Sequence, residues 1–372
     1  VQCLGGVSTG VYTTDSSEQL LYQLTDSDST FLFLDTDEQL DKYLTIAADC
    51  PKIKKAIVFE RKDLFDFKHE KVIFLDEIYK IGEQALKKKP DLFETEISKN
   101  KASDVAIMVY TSGTTGHPKG VMLTNENLIY AISVGKVYLP SNETDEVFCF
   151  LPLCHVYERL TSCMKPLSDK STINFAESME TVFEDIREVS PTLFYGVPRI
   201  YEKINSNFNI ALSEATNLSK FIYERALKTS LKRFECKMKN KKIPLTLNIR
   251  FFMYEFFVFR NLRRMIGFDR VKRAVTGAAP ISPDLVKWFN ALGIPLIEGY
   301  GMSETATVMT MNDPENNKVG TVGTWVPDAN VKISPEGEIQ WKSPAVFVGY
   351  YKDNKRTSEA FTKDGYFKTG DK

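Results

Sequence analysis

The sequence predicts an α/β protein: two subdomains with mainly parallel sheets flanked by helices, followed by a small β-barrel-like subdomain. Three observations carry this prediction. Short β-rich runs alternate with polar, periodic stretches of helical length. The run at 105–110 is almost continuously apolar, the pattern of a central strand covered on both faces. Beyond Val319 the texture changes to short strands broken by Gly and Pro.

Taken in chain order, the runs at 31–34, 55–59 and 71–75 read as strands, each followed by a stretch long enough for a helix. The strand at 105–110 leads into a Gly/Thr-rich turn, after which Thr124 is placed to cap a helix running through Ile132. Residues 1–140 therefore form a first α/β subdomain, with a loop at 110–120. A strand at 147–150 opens a second, 141–316, which holds a basic and aromatic helical insertion at about 200–273. Strands at 329–334, 337–343 and 346–351 make the small β subdomain, 317–372.

With 372 residues, 43% of them hydrophobic and 26% charged, the chain is long enough for several packed cores. Lys+Arg 48 against Asp+Glu 49 leaves a formal charge of −1, so no overall field favours a nucleic-acid partner. The six cysteines (Cys3, Cys50, Cys149, Cys154, Cys163, Cys236) contain no C-x-x-C pair, which favours a reducing, cytoplasmic setting and no structural zinc. No apolar run reaches the roughly 20 residues that span a bilayer. Val1 opens inside an apolar pattern and Lys372 follows a Gly-Asp turn, so the sequence reads as a piece of a longer chain.

One segment departs from the even charge balance. Residues 220–273 hold 16 Lys/Arg against 4 Asp/Glu, a net of 16 − 4 = +12, around the block Phe251-Phe252-Met253-Tyr254-Glu255-Phe256-Phe257. Cations beside exposed aromatics suit an anionic membrane surface. The same residues equally suit a solvated helix face beside a core helix, and periodicity alone does not choose between them.

The string Tyr110-Thr111-Ser112-Gly113-Thr114-Thr115-Gly116-His117-Pro118-Lys119-Gly120 packs hydroxyls, glycines and a lysine after a buried strand. Such a loop suits polyphosphate: glycines let the backbone come close, hydroxyl and amide groups donate to phosphate oxygens, and Lys119 brings a mobile charge. It is not a Walker loop. Only two residues separate Gly113 from Gly116, and Lys119 is followed by Gly120 rather than by Ser or Thr.

This string is similar to the signature loop of the adenylate-forming superfamily, which includes acyl-CoA synthetases, luciferases and peptide-synthetase adenylation domains. Glu298-Gly299-Tyr300-Gly301-Met302-Ser303-Glu304-Thr305 resembles that family's aromatic-Gly-x-Thr-Glu block. Tyr366-Phe367-Lys368-Thr369-Gly370-Asp371 resembles its Tyr-x-Thr-Gly-Asp block, and Gly277-Ala278-Ala279-Pro280 its turn along adenine and the acyl chain. Together they cover essentially the whole chain and imply the fold of the large domain of an ATP-dependent enzyme that adenylates an acid. The resemblance implies that Thr111, Ser112, Gly113, Thr114, Thr115 and Gly116 cradle the phosphates, with Lys119 as a charge partner. It implies further that Gly277, Ala278, Glu298, Gly299, Tyr300 and Ser303 line the nucleotide, with Tyr300 stacked on adenine. Asp371 would accept from both ribose hydroxyls, and Thr111 and Glu304 would stand at Mg²⁺.

Leu151-Pro152-Leu153-Cys154-His155-Val156-Tyr157-Glu158-Arg159 and Gly196-Val197-Pro198-Arg199-Ile200-Tyr201-Glu202 look like the versions found in long-chain fatty acyl-CoA synthetases. There His155 would lie where carboxylate meets α-phosphate and steady the anion by hydrogen bonding or charge. The implied substrates are a fatty acid, ATP and coenzyme A. A fatty acyl-AMP ligase or another acid–CoA ligase shares these motifs, and a non-catalytic acyl or nucleotide sensor is the reading from another class. The resemblance also places the smaller C-terminal domain, with its adenylation lysine, beyond Lys372, so weak adenylation and little thioester formation are expected of residues 1–372 alone. The resemblance is compatible with a homodimer and with a peripheral location at membranes.

Overall fold

Six strands among the described residues of the first 126 sort into two sheets. They are β1 (Ser8–Thr9), β2 (Phe31–Leu34), β3 (Lys55–Val58), β4 (Val72–Phe74), β5 (Val105–Thr111) and β6 (Lys119–Thr124). The computed structural model describes residues 1–62, 64–111 and 117–372. Its residues form two units, Val1–Glu126 with Phe347–Ala360, and Asn127–Val346 with Phe361–Lys372.

In the first unit, β2, β3 and β4 make a parallel sheet in that order. Alternation in β2 turns Leu32 and Leu34 inward onto Leu20, Leu24, Leu40 and Tyr43 and leaves Phe31 and Phe33 outside. The covering helix Ser17–Asp26 starts where Ser16 and Gln19 exchange backbone and side-chain hydrogen bonds, a capping box. The helix anticipated after β3 does not form among the described residues. Leu64 and Phe67 are drawn onto the core of this sheet, and the bonds from Leu64 N to Arg61 O and from Phe67 N to Leu64 O close separate turns instead of a helical ladder. The second sheet runs β1-β5-β6 and then Gly349–Tyr350. As its apolar run predicts, β5 is interior and buried from Ala106 to Tyr110.

The second unit is built on β7 (Glu146–Cys149), β8 (Thr172–Phe175), β9 (Leu193–Gly196), β10 (Arg273–Thr276), β11 (Leu296–Tyr300), β12 (Thr310–Met311) and β13 (Thr324–Trp325). Their order is β13-β12-β11-β10-β9-β7-β8, with β7 to β11 parallel and β12 and β13 antiparallel. Aromatic rings fill one face: Phe150 stacks 5.6 Å from Phe148 and 5.5 Å from Phe194, which lies 4.8 Å from Phe268. Between β9 and β10 the chain inserts the helices Pro198–Glu214, Asn217–Met238, Leu245–Tyr254 and Arg260–Met265, the helical insertion anticipated there.

The helix after Thr124 spans Asn125–Tyr138, longer than anticipated, because Ala131 and Val134 continue its buried face. Beyond Val319 the chain does turn to short strands. Asn330–Ile333, Ile339–Lys342 and Phe367–Lys368 form a three-stranded antiparallel sheet in the second unit. Gly349 and Tyr350 instead pair with Met122 and Val121 of β6, so the segment 317–372 is shared between the two units.

Candidate active site

In the first unit, β5 and β6 form an antiparallel hairpin in which Thr111 faces Lys119 and Tyr110 faces Gly120. The phosphate-type loop is therefore the connection of a hairpin, whereas a Walker loop joins a strand to a helix. Ser112, Gly113, Thr114, Thr115 and Gly116 lie outside the described residues. The loop's far end is held by Tyr22, whose ring stacks on His117 at 4.7 Å and whose hydroxyl donates to the Pro118 carbonyl at 2.9 Å. At the near end the Tyr110 hydroxyl donates to Asp26 at 2.6 Å. Lys119 Nζ sits 4.8 Å above the Tyr350 ring. Gly120 is tightly packed: a Cβ there would meet the Met108 side chain, with Sδ at 2.7 Å.

In the second unit the parallel strands β7, β9, β10 and β11 end on one edge of the sheet. From β7 the chain passes to β8 on one side and then to β9 on the other. Such a reversal opens a crevice at the carboxyl ends of the strands. The segments that leave this edge carry most of the motif residues: 150–155 after β7, 197–199 after β9, Gly277 and Ala278 after β10, and 298–305 at and beyond the end of β11.

His155 precedes the turn Val156–Glu158 and accepts from Tyr157 N through Nδ1 at 3.1 Å. The proton of the neutral ring is thereby left on Nε2, a donor. Burial holds the imidazole below its ordinary pKa, which favours the neutral ring at pH 7. The turn that carries it is fastened from beneath by Glu158, fully buried, which accepts from Phe150 N at 2.9 Å and Leu151 N at 3.1 Å. Arg159 Nε donates to Leu153 O at 2.9 Å across the same turn.

After β10, Ala278 takes φ +67°, a left-handed conformation uncommon for a residue with a Cβ. Gly277 lies so close to β11 that a Cβ would stand 3.0 Å from the Gly299 carbonyl. Thr276 and Glu298 are register partners, and Thr276 Oγ1 and Glu298 Oε2 are both buried with no hydrogen-bond partner among the described residues. Burial raises the Glu298 carboxyl above its ordinary pKa.

Beyond β11, a Cβ on Gly301 would lie 1.5 Å from Thr307 O, so only glycine lets this turn close. Thr305 is buried, and its hydroxyl bonds both the N–H and the C=O of Met302, which fixes the short 3₁₀ turn Ser303–Thr305 that presents Ser303 and Glu304. Tyr300 donates its hydroxyl to Asp371. Burial first, and this carboxylate second, push the phenol well above its ordinary pKa. Asp371 is delivered by the strand Phe367–Lys368, beyond which Thr369 donates to Ile339 O at 2.8 Å and Gly370 N to Glu338 at 3.0 Å. Beside the sheet lies a cavity of about 40 Å³, lined mainly by apolar and aromatic side chains, among them Tyr157, Leu160, Tyr195, Val275, Val308 and Met311.

Comparison with known proteins accounts for this arrangement. The profile of the family described as "AMP-binding enzyme" matches residues 1–351. The chain belongs to the AMP-binding enzyme family. It is 30% identical over 374 residues to the long-chain-fatty-acid–CoA ligase FadD15 of Mycobacterium bovis, covering all of this chain and 59% of that protein. It is 28% identical over 379 residues to the long-chain-fatty-acid–CoA ligase ACSBG1 of Rattus norvegicus, covering 99% of this chain and 51% of that one. The chain thus spans between half and three-fifths of the length of these relatives. Among solved structures, the anthranilate CoA ligase AuaEII in complex with anthranoyl-AMP aligns with a TM-score of 0.68 at 16% identity, over 98% of this chain and 60% of that one. The N-terminal domain of FACL13 from Mycobacterium tuberculosis aligns with a TM-score of 0.65 at 18% identity, over 99% of this chain and 77% of that one. These likenesses fix the fold as that of the N-terminal domain of adenylate-forming enzymes.

Within this AMP-binding enzyme the fold joins Tyr300 directly to Asp371 and sets Gly277 against Gly299, pairs that are distant in sequence. Thr111 and Lys119 belong to the other unit and face each other across its hairpin. Two positioning residues received no role from sequence. Glu158 lies inside a quoted motif, but only its burial under two backbone N–H groups reveals what it does. Tyr22 is far along the chain from the loop it clamps, and no local pattern marks it.

Proposed function

We propose that the protein activates long-chain fatty acids with ATP, forming an acyl-adenylate and then a coenzyme A thioester. The supporting observation is the Tyr300–Asp371 contact at the carboxyl edge of the parallel sheet. A ring that stacks on adenine and a carboxylate that takes two ribose hydroxyls must be neighbours, and these two touch although their motifs are 71 residues apart. On binding, the ribose hydroxyls replace the phenol as donors to the carboxylate.

In the first step a carboxylate oxygen of the acid attacks the α-phosphorus, the bond to the bridging oxygen breaks, and pyrophosphate leaves. Two anions must approach, so the site has to neutralise charge and hold the line of attack. Lys119 and the loop after Thr111 take the phosphates. His155, neutral with its proton on Nε2, donates to an oxygen at the junction of carboxylate and phosphate, and Glu158 fixes the turn that aims it. Magnesium usually takes one or two protein oxygens and completes its shell with phosphates and water, and the Glu304 carboxylate and Thr111 hydroxyl are hard donors of that kind. When bound, the ion offsets phosphate charge. The choice of a fatty acid is supported by the relatives named long-chain-fatty-acid–CoA ligases, since the mainly apolar cavity beside Tyr195 and Val275, at about 40 Å³, is too small to hold such a chain. In the second step the thiol sulfur attacks the acyl carbon and AMP departs.

Pyrophosphate exchange by the full-length protein tests this reading, comparing a long-chain fatty acid, a short acid and an amino acid in the presence of Mg²⁺ATP. The long-chain acid alone stimulates exchange, and Glu304→Ala abolishes it. ATP binding without exchange for any acid sinks the catalytic reading in favour of a nucleotide sensor.

A further inference from the structure

The helix Leu245–Tyr254 and the π-type turn Glu255–Phe259 that continues it carry six large apolar side chains pointing outward. Leu245, Ile249, Phe252, Met253, Phe256 and Phe257 are each between 54% and 74% exposed. Their spacing, i, i+4, i+7, i+8, i+11 and i+12, lays them in one stripe. The opposite face of the same segment is already in use: Phe251, Tyr254 and Val258 pack on the core of the second unit, and Phe259 is fully buried. The segment is therefore apolar on two faces, and the fold covers one. Phe256 and Phe257 pack edge to face at 5.0 Å, forming a wedge on the surface.

Along the chain, most of the charge within and beside this stripe is positive. Lys239, Lys241 and Lys242 precede it, Arg250 lies within it, and Arg260 and Arg264 follow, all exposed. Between residues 236 and 268 the sole acid is Glu255, and it is occupied in an ion pair with Arg263. An exposed apolar patch of this kind marks an interaction site. We propose that this face docks on the surface of a bilayer containing anionic phospholipids, with the aromatic stripe seated among the headgroups and the six cations against lipid phosphates. Two features favour a bilayer over a second copy of the chain. A two-fold contact through the stripe would bring the six cations of each copy together, and aromatic side chains are favoured at the membrane–water boundary. Among the described residues no helix is long and apolar enough to cross a membrane, so the segment lies on the surface.

Co-sedimentation of the whole chain with phosphatidylcholine vesicles, with and without phosphatidylglycerol, tests the proposal. Binding appears only with the anionic lipid and falls at least tenfold at high salt. It falls by a similar factor in the variant Phe252→Ser/Phe256→Ser/Phe257→Ser, whose changed side chains are exposed and leave thermal unfolding unaltered. A second variant, Arg250→Gln/Arg260→Gln/Arg264→Gln, separates charge from apolar contact and also loses anionic binding. Absence of binding to anionic vesicles overturns the proposal, as does binding that the triple serine variant retains. Sedimentation that finds the protein dimeric and the serine variant monomeric, without vesicle binding, assigns the stripe to a second copy instead.

Discussion

Glu158 shows how much one buried carboxyl controls. Burial pushes it up to about 7 from an ordinary 4.5, against the pull of the Phe150 N–H. The folded-state value is raised, so the contribution is fully present below pH 4.5 and is lost as pH rises through 7. A shift of this size corresponds to about 3 kcal/mol. Urea midpoints measured between pH 4.5 and 8 should therefore show wild-type stability falling by that order relative to Glu158→Gln, which cannot ionise. With Thr307 O 1.5 Å from where a Cβ would stand, Gly301→Ala should lower stability by about 3 kcal/mol or more, read as a drop in Tm, because the 3₁₀ turn behind Glu304 must open. The glycine's place in a motif was plain in the sequence. Its steric reason was not, since the clash is with a carbonyl six residues on, in a turn whose course depends on buried Thr305.

At the scale of elements, the hairpin β5–β6 and the hydrogen bond from Tyr300, at the end of β11, to Asp371 do the positioning. Tyr22→Ala frees His117 and Pro118 at the loop's end and should raise the Kd for ATP about fivefold by calorimetry, roughly 1 kcal/mol, with little change in fold. Tyr300→Phe keeps the ring and removes only the bond to Asp371, so nucleotide affinity should stay within about threefold, whereas Asp371→Ala should weaken it roughly tenfold or more. Strands and loop were legible because β5 is continuously apolar and the loop composition is unusual. The missing helix after β3 was not: Leu64 and Phe67 have helical spacing, but their pull toward the core of β2–β4 outweighs a short, weakly capped helix. The exposed stripe on Leu245–Tyr254 was legible as aromatic and basic, yet periodicity cannot say which of two apolar faces the core takes.

At the scale of the whole molecule, fold class and family were readable from four contiguous motifs, because each is a local turn whose chemistry travels with its sequence. The division of the chain was harder to read. Gly349–Tyr350 pairs with β6 in one unit while its neighbours before and after serve the other, a long-range exchange that no window of sequence contains. The carboxyl edge of the seven-stranded sheet then collects segments from β7, β9, β10 and β11, and the proposed chemistry rests on that collection. The most direct test follows oxygen. A long-chain fatty acid labelled with ¹⁸O in both carboxylate positions is incubated with the full-length protein, Mg²⁺ATP and hydroxylamine as acceptor, and the products are read by mass spectrometry. Attack of the carboxylate on the α-phosphorus, followed by cleavage at the acyl carbon, predicts one ¹⁸O in AMP and one in the hydroxamate. Label in inorganic phosphate together with ADP would mean that the acid is activated at the γ-phosphorus, and would contradict acyl-adenylate formation.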